Sequence, residues 1–462
     1  MNKAPLLARR REVDLRIVPL GFLALIAVGT ALLVLPWAHR SGQSVGFLDA
    51  FFLAASAACV TGLTTLNVAE TFNGFGQAIL LLLLQAGGLG IFTASISLVL
   101  LSGQRLSLAD EQTIHATVGR LRQARPLDVF IYGCVFVLLF ELAGTVALFP
   151  QIAEAESEHT VWQSLWEAAF HAISAFCNAG ISVYPEGLAR WKQHPGMLAV
   201  IDVLVMAGGI GLMTLINLRY YYFWRRDPRR RGHLTLQTRL AVMSAVLLLV
   251  AGAAVTLVFE WNHTLAEAHG WERVSWSFFH SAMTRTAGFN VVDVGEMNPP
   301  TLLATLVLMF IGGSPGSMAG GIKTVTVVLL VLTAWTALKR REDLQIFGRR
   351  IGRELAGIAV MLTLLAGACV LAGVGLLMLT EDGHPAAQTS QRWLALVFEA
   401  VSAFGTVGLS AGVTPLLTAA GKLIIIVLMF VGRVGPLVLS VYLARAPYPW
   451  HVRYPREEVA IG

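Results

Sequence analysis

Apolar residues run along this chain in long blocks rather than at the spacing of amphipathic helices or strands. Eight blocks, near 17–37, 75–101, 128–150, 196–223, 235–259, 300–338, 354–379 and 415–443, each reach the length of about 20 residues that a helix needs to cross a bilayer. The sixth is too long for one uninterrupted span. Between the members of each odd–even pair lies a further apolar segment, too short to cross and too apolar for a plain loop. Polar and charged positions gather in the remaining connections.

Composition strengthens this reading. The 462 residues are 56% hydrophobic and only 13% charged, where a soluble chain carries about 25%. That excludes a disordered chain and an ordinary water-soluble enzyme, and defines a polytopic membrane protein. The net charge of +6 is a topology signal. Of 34 Lys and Arg, 25 fall in five places: up to Arg16, Arg105–Arg125, Arg219–Arg239, Lys339–Arg353 and Arg445–Arg456. Each follows an even number of spans, which predicts that all five, with both termini, lie in the cytoplasm. Glu154, Glu156, Glu158, Glu260, Glu267, Glu381 and Asp382 fall on the opposite side. The basic run Arg225–Arg231 reads as a topology determinant beside anionic lipid headgroups, not a nucleic-acid patch. Cys59, Cys134, Cys177 and Cys369 are far apart in apolar segments, without the spacing of a disulfide framework or zinc site. The run from Ile17 to Trp37 spans and lacks a cleavage site, so it is a retained first helix.

The short segments form a repeat. FLAASAACVTGL (52–63), FHAISAFCNAGI (170–181), FFHSAMTRTAGF (278–289) and FEAVSAFGTVGL (398–409) align on Gly62, Gly180, Gly288 and Gly408, which are 118, 108 and 120 residues apart. Phe52, Phe170, Phe278 and Phe398 stand ten before each glycine; Ser56, Ser174 and Ser402 stand six before, where the third segment has Ala282. Such a match at even spacing marks an internal repeat. Its unit is span, short re-entrant helix, glycine-bearing strand, span. Non-helical backbone at membrane depth persists only where protein buries it or water lines it. Four segments around one axis meet that condition together, and glycine admits the backbone geometry that turns carbonyls inward. A carbonyl ring can replace an ion's hydration shell, and the C-terminal ends of four short helices favour a cation. The plainer reading, glycines for close helix packing, does not account for the long period.

At these residues the sequence resembles the Trk/Ktr/HKT superfamily of potassium transporters along essentially the whole chain. GGLGIFT (87–93), GGIGLMT (208–214), GGSPGSMAGGIKT (312–324) and GRVGPLVLS (432–440) add to the likeness. The chain starts directly at the first repeat, so it is most similar to KtrB-type members. The resemblance implies an all-α membrane protein with four M1–P-loop–M2 repeats around one central pore, at 1–110, 111–231, 232–346 and 347–462. It implies a potassium filter of the four glycines with Val60 and Thr61, Asn178 and Ala179, Thr286 and Ala287, and Thr406 and Val407. In the family, glycine in all four loops goes with potassium; Gly62 holds the position that is serine in many sodium-preferring members. No loop carries a full TVGYG, so weaker discrimination against sodium is expected.

The sixth block breaks at Gly312, Gly313, Ser314, Pro315, Gly316, Ser317, Met318, Ala319, Gly320 and Gly321, too rich in glycine and proline to stay helical. Gly321-Ile322-Lys323-Thr324 is not a phosphate-binding loop, which needs glycine directly before the lysine. The resemblance makes this stretch, with Lys323, a gate beneath the filter. Arg433 lies deep in the eighth span, about 18 Å along a helix from Arg445, where a charge must be paired or face water. By resemblance it opposes cations below the filter and contacts the 312–321 loop; otherwise it pairs within the bundle, with Glu399 a candidate. Arg285 is expected to prop its loop from behind, and Lys323 to support the gate's end or pair across the cavity. Asp49 and Glu167, thirteen before their glycines, are expected at short-helix starts.

The resemblance further implies inward passage of K+, with Na+ open as a coupling or activating ion. It also implies a homodimer in the bacterial inner membrane, docked through its basic loops and C-terminal tail on a separate ring of cytosolic nucleotide-binding regulatory subunits. No enzymatic constellation, cofactor or nucleic-acid partner is expected. Rival readings are a sodium-coupled symporter and the potassium-binding subunit of an ATP-driven pump.

Overall fold

The computed structural model describes residues 16–101, 126–156, 158–224, 234–340, 343–383 and 392–445. The basic N-terminus, the loop after the second span, the run Arg225–Arg231, the expected boundaries at 110 and 231, and the C-terminal tail lie outside the described residues.

The described helices fall into four consecutive groups, each opened by a long helix and a shorter one. First come α1 (Ile17–Val34), the short α2 (Phe47–Ala58), the single turn α3 (Val68–Thr71) and α4 (Gly74–Leu101). Then follow α5 (Pro126–Ala155), α6 (Val161–Phe176), α7 (Pro195–Ile210) and α8 (Leu212–Trp224). The third group is α9 (Leu236–Glu260), α10 (Trp271–Met283), α11 (Pro299–Phe310) and α12 (Thr324–Leu338). The fourth is α13 (Arg353–Thr380), α14 (Arg392–Gly405) and α15 (Ala419–Arg445). Long stretches of α1, α5, α9, α13 and α15 are apolar enough to cross a membrane unbroken. They leave large side chains bare: Leu138, Leu142 and Val146 line one exposed stripe of α5 at every fourth residue. A stripe of that kind is stable against lipid. The short helices turn their small residues inward, so Ala50, Ala54, Ala57 and Ala58 of α2 are fully buried and the helices approach closely.

Buried carboxylates tie each late pair of long helices together. Glu260 at the end of α9 accepts hydrogen bonds from the Asn298 amide (2.9 Å) and the Thr301 hydroxyl (2.5 Å) at the start of α11. Glu381, after α13, accepts from the amide (3.2 Å) and hydroxyl (2.6 Å) of Thr418, just before α15. Each fills otherwise unpaired donors at a helix N-terminus.

Two expectations are corrected, at the fourth span and at Glu167. The fourth span is not continuous: α7 and α8 meet at a 100° bend on Gly211, whose φ is +95°. The connection after α12 also carries local structure. It holds a two-stranded hairpin, β1 (Leu344–Ile346) with β2 (Arg349–Ile351), whose turn residues Phe347 and Gly348 both have positive φ, as a tight hairpin requires. The expected boundary at 346 falls at this turn. Glu167 is not at a helix start; α6 begins earlier, on a capping box of Thr160 and Gln163.

Candidate functional site

The four loops that follow the short helices meet at their glycines. A methyl group added to Gly62 would overlap the Ala179 carbonyl oxygen, one on Gly180 that of Ala287, one on Gly288 that of Val407, and one on Gly408 that of Thr61. Each loop therefore presses on the next, and the fourth on the first: a closed ring. All four glycines have positive φ, between +65° and +97°. Two residues before each stands a non-glycine residue that is also left-handed: Val60 (53°), Asn178 (58°), Thr286 (71°) and Thr406 (50°). For the β-branched Val60, Thr286 and Thr406 this is a true outlier, costing about 1–3 kcal/mol each. Such strain persists only because the surroundings fix it.

The fixing is visible in each loop. The Ser56 hydroxyl accepts from the Gly62 amide and the Ser402 hydroxyl from the Gly408 amide, each at 3.1 Å. Ser174, at the matching place, instead donates to the Ile181 carbonyl (2.8 Å). The third loop is one residue tighter. Met283 O accepts from the amides of both Ala287 and Gly288, and the buried phenylalanine matching Phe52, Phe170 and Phe398 is Phe279, whereas Phe278 is 37% exposed. Alignment on Phe278 and Ala282 is thus off by one in space. Further braces reach past the glycines. Glu399 binds Ser410, Thr414 (2.7 Å) and the Ala411 amide (3.2 Å); His171 binds Ser182 (2.9 Å). Asp49 accepts from Thr65 (2.8 Å) and pairs with Lys422 (2.7 Å) of the fourth unit. Glu167 accepts from Tyr184 (3.0 Å), whose phenol burial pushes well up, keeping it a donor. Around the ring, the hydroxyls of Thr61, Thr286 and Thr406 and the Asn178 side-chain oxygen are buried with no hydrogen-bond partner among the described residues.

Residues 311–323 cross between α11 and α12 as a loop. Its ends are fastened together by a parallel bridge between Ile311 and Ile322 and by bonds from Gly312 N to Ile322 O and Thr324 N to Gly313 O. Arg433, 3% exposed, donates to Met318 O (2.6 Å) in this loop and to Gly87 O (3.4 Å). Its expected alternative partner Glu399 is engaged on its own strand. Arg285 donates to Gly312 O (3.2 Å), so it props the 311–323 loop rather than its own. Lys323 Nζ donates to Ala319 O (2.6 Å), within the loop. Above the loop, a methyl on Gly320 would overlap the Thr406 hydroxyl, which puts loop and ring in direct contact.

Sequence reading passed over the bend at Gly211. Ser314 N donates to Gly209 O (2.9 Å), Met318 N to Gly208 O (3.1 Å) and Leu212 N to Gly316 O (3.2 Å). The glycine-rich GGIGL pattern at 208–212 was the available signal.

A helical membrane protein with a ring of left-handed glycine loops above a fastened intramembrane loop is built for small ions, not for covalent chemistry. Among the described residues no group of three or more His, Cys, Asp or Glu could hold a metal. The chain belongs to the TrkH family of cation transport proteins, whose model matches residues 8–452. It is 34% identical over 461 residues to the potassium/sodium uptake protein NtpJ of Enterococcus hirae, covering 98% of each chain. It is 33% identical over 459 residues to the Ktr system potassium uptake protein B of Bacillus subtilis, covering 97% of this chain and 96% of that one. The crystal structure of the potassium transporter TrkH from Vibrio parahaemolyticus shares the fold, with a TM-score of 0.70 at 17% identity over 98% of this chain and 88% of that one.

Proposed function

We propose that this chain is the ion-translocating subunit of a potassium uptake system. The observation that carries the reading is the closed ring of Gly62, Gly180, Gly288 and Gly408. Alternating left-handed residues turn successive peptide planes, and the ring brings the carbonyls of Thr61, Ala179, Ala287 and Val407 against the neighbouring glycines. Such carbonyls, with the unpartnered threonine hydroxyls, would take the place of a cation's water shell. The four short helices end three to five residues before the ring, adding the negative ends of their dipoles. The relatives named for potassium uptake support K+ as the ion.

In this reading the 312–321 loop is the gate. Arg433 holds it shut and sets a positive charge in the path, while Lys323 and Arg285 brace its two ends. The four helix groups are four M1–P-loop–M2 repeats around one pore. Basic connections put both termini in the cytoplasm of a bacterial inner membrane. In this reading the chain pairs as a homodimer docked on a separate cytosolic nucleotide-binding ring, as its resemblance to KtrB-type members implies. A second reading is favoured by one relative: the potassium/sodium uptake protein NtpJ joins the two ions in its name, in keeping with Na+ as coupling or activating ion.

The test is flux of K+, Rb+ and Na+ into liposomes holding the purified chain, with and without a regulatory subunit. Saturable K+ and Rb+ flux, with discrimination weakened in Gly62→Ser, is the expected result. Discrimination that survives Gly62→Ser overturns the filter assignment, and K+ flux that requires Na+ in fixed ratio selects the symport reading.

A further inference from the structure

The loop between α11 and α12 supplies, group for group, hydrogen bonds that the bent α7–α8 span has lost. In an unbroken α-helix the Leu212 amide donates to Gly208 O and the Met213 amide to Gly209 O. Here Gly208 O takes its hydrogen bond from Met318 N, Gly209 O from Ser314 N, and Leu212 N gives its own to Gly316 O. In an apolar setting none of these backbone groups can stay unpaired. One short stretch, Ser314 to Met318, satisfies all three. The fit is close on both sides. A Cβ on Gly211 would lie 2.8 Å from Pro315 O, and one on Gly313 would lie 2.9 Å from Gly209 O. The φ of +95° at Gly211 is one that only glycine adopts freely.

We infer that Gly208–Leu212 and Ser314–Met318 form a two-state latch, in which the bent span holds the loop closed and straightens when the loop's middle leaves. This rests on the reading of residues 312–321 as a gate. Straightening lets Leu212 N return to Gly208 O, and Met213 N pair with Gly209 O. The span's Gly208 O, Gly209 O and Leu212 N are then paired in both end states and unpaired only between them, which is what makes the span bistable rather than merely flexible. The loop leaves no unpaired backbone group on the span; its own Ser314 N, Met318 N and Gly316 O, and the Arg433 donor to Met318 O, turn to the water that opening admits.

The latch has a long arm. The 13 residues of α8 measure about 20 Å at 1.5 Å per residue, so removing the 100° bend swings the far end through roughly 30 Å. The chain continues from there directly into the basic run Arg225–Arg231. A partner with an acidic surface that grips this run would therefore bear on the gate through α8.

The test uses the full chain in nanodiscs and liposomes, as wild type, Gly211→Ala and Arg433→Ala. Spin labels go on Trp162→Cys and Tyr222→Cys, both well exposed, with the partly buried Cys134 and Cys369 changed to serine. An alanine in the left-handed region shifts the balance toward the straight form by about fivefold to thirtyfold. K+ flux should rise by that factor in Gly211→Ala with K+ over Na+ discrimination unchanged, and both variants should show a new label-to-label distance displaced by about ten ångströms or more. Arg433→Ala leaves the bend itself untouched, so it reports even where Gly211→Ala does not fold. Raised flux in Arg433→Ala at the wild-type distance overturns the latch and leaves the gate reading standing, as does a folded Gly211→Ala with flux unchanged or reduced. If flux responds to neither substitution, the gate reading falls and the latch with it.

Discussion

Replacing Gly62 by alanine isolates what the ring requires. Two costs arise. The residue sits at φ +97°, and an L side chain in the left-handed region costs about 1–2 kcal/mol. The new methyl would also overlap the Ala179 carbonyl oxygen, with the Ala179 carbonyl carbon at 3.2 Å and Gly180 Cα at 3.5 Å. All three are backbone atoms, so no side chain can rotate away. Relief requires the second loop to move, and that loop is already pressed on the third. Overpacking of this kind costs about 1–3 kcal/mol.

Gly42 provides the control. Its φ is +84°, but nothing lies within 4 Å of an added Cβ. Gly42→Ala therefore carries the left-handed cost without the overlap, and should lower thermal stability while leaving transport intact. Gly62→Ala should go further. A loss of about 1.4 kcal/mol in ion stabilisation is already tenfold, so K+ flux or the K+/Na+ ratio in liposomes should fall at least tenfold. A folded Gly62→Ala that transports and discriminates like Gly42→Ala would show that the ring is not the filter.

Other perturbations separate gate, scaffold and seam. Arg433→Ala removes charged donors to Met318 O and Gly87 O, worth about 1.5–3 kcal/mol each; K+ flux should rise about tenfold or more with the K+/Na+ ratio preserved, and a fall would count against the loop as gate. Glu260→Ala strips acceptors from the buried Thr301 hydroxyl and the Asn298 amide, so thermal unfolding in detergent should register a loss of about 1–3 kcal/mol with ion preference unchanged. A double-mutant cycle on Asp49→Asn and Lys422→Ala should give a coupling of only about 0.5–1 kcal/mol, shrinking as salt is added, because the pair is partly exposed; a coupling insensitive to salt would refute that assignment.

The long apolar blocks were legible because a bilayer demands length and hydrophobicity in one unbroken run, and the glycine repeat because four loops must solve one backbone problem. What escaped depends on contacts between distant segments. The bend at Gly211 lies in a block with no proline and no polar break; its cause is the 311–323 loop, about a hundred residues away, which offers replacement hydrogen bonds. The third loop misled because Phe278 and Phe279 stand side by side, and only packing decides which is buried. Glu399 looked like a counter-ion for Arg433 because both are deep charges, yet its nearest donors are eleven to fifteen residues ahead on its own strand. A local signal did exist for Glu167: Thr160 and Gln163 form a capping box that marks the true start of α6. Arg433 donates to Met318 O of the 312–321 loop and Lys323 to Ala319 O within it; the gate role of both is the proposal made above.

The bonding of the 311–323 loop divides it into two parts with different duties. Its ends form a collar: Ile311 bridges Ile322, Arg285 holds Gly312 O, and Gly320 lies against Thr406 of the ring. Its middle, Ser314 to Met318, is held by α7, α8 and Arg433 instead. If the whole loop left, Arg285 would lose its Gly312 partner while 4% exposed, with its Nε and one terminal nitrogen already unpartnered. Stranding a buried cation costs several kcal/mol. Departure of the middle already takes Met318 O from Arg433, so one buried cation loses a partner when the middle goes and two when the whole loop goes; opening is cheaper when the collar stays. Changes in the two parts should then differ in kind. Gly320→Ala would push its methyl into the Thr406 hydroxyl, and since no flexible tail can yield there, the fourth ring loop must shift; the K+/Na+ ratio should drop. Gly316→Ala, at φ +74° with open space around an added Cβ, strains only the middle and should raise the rate at an unchanged ratio. Flux of K+ and Na+ measured on both variants decides the matter. A ratio change in Gly316→Ala, or a pure rate change in Gly320→Ala, would mean that collar and middle move as one body.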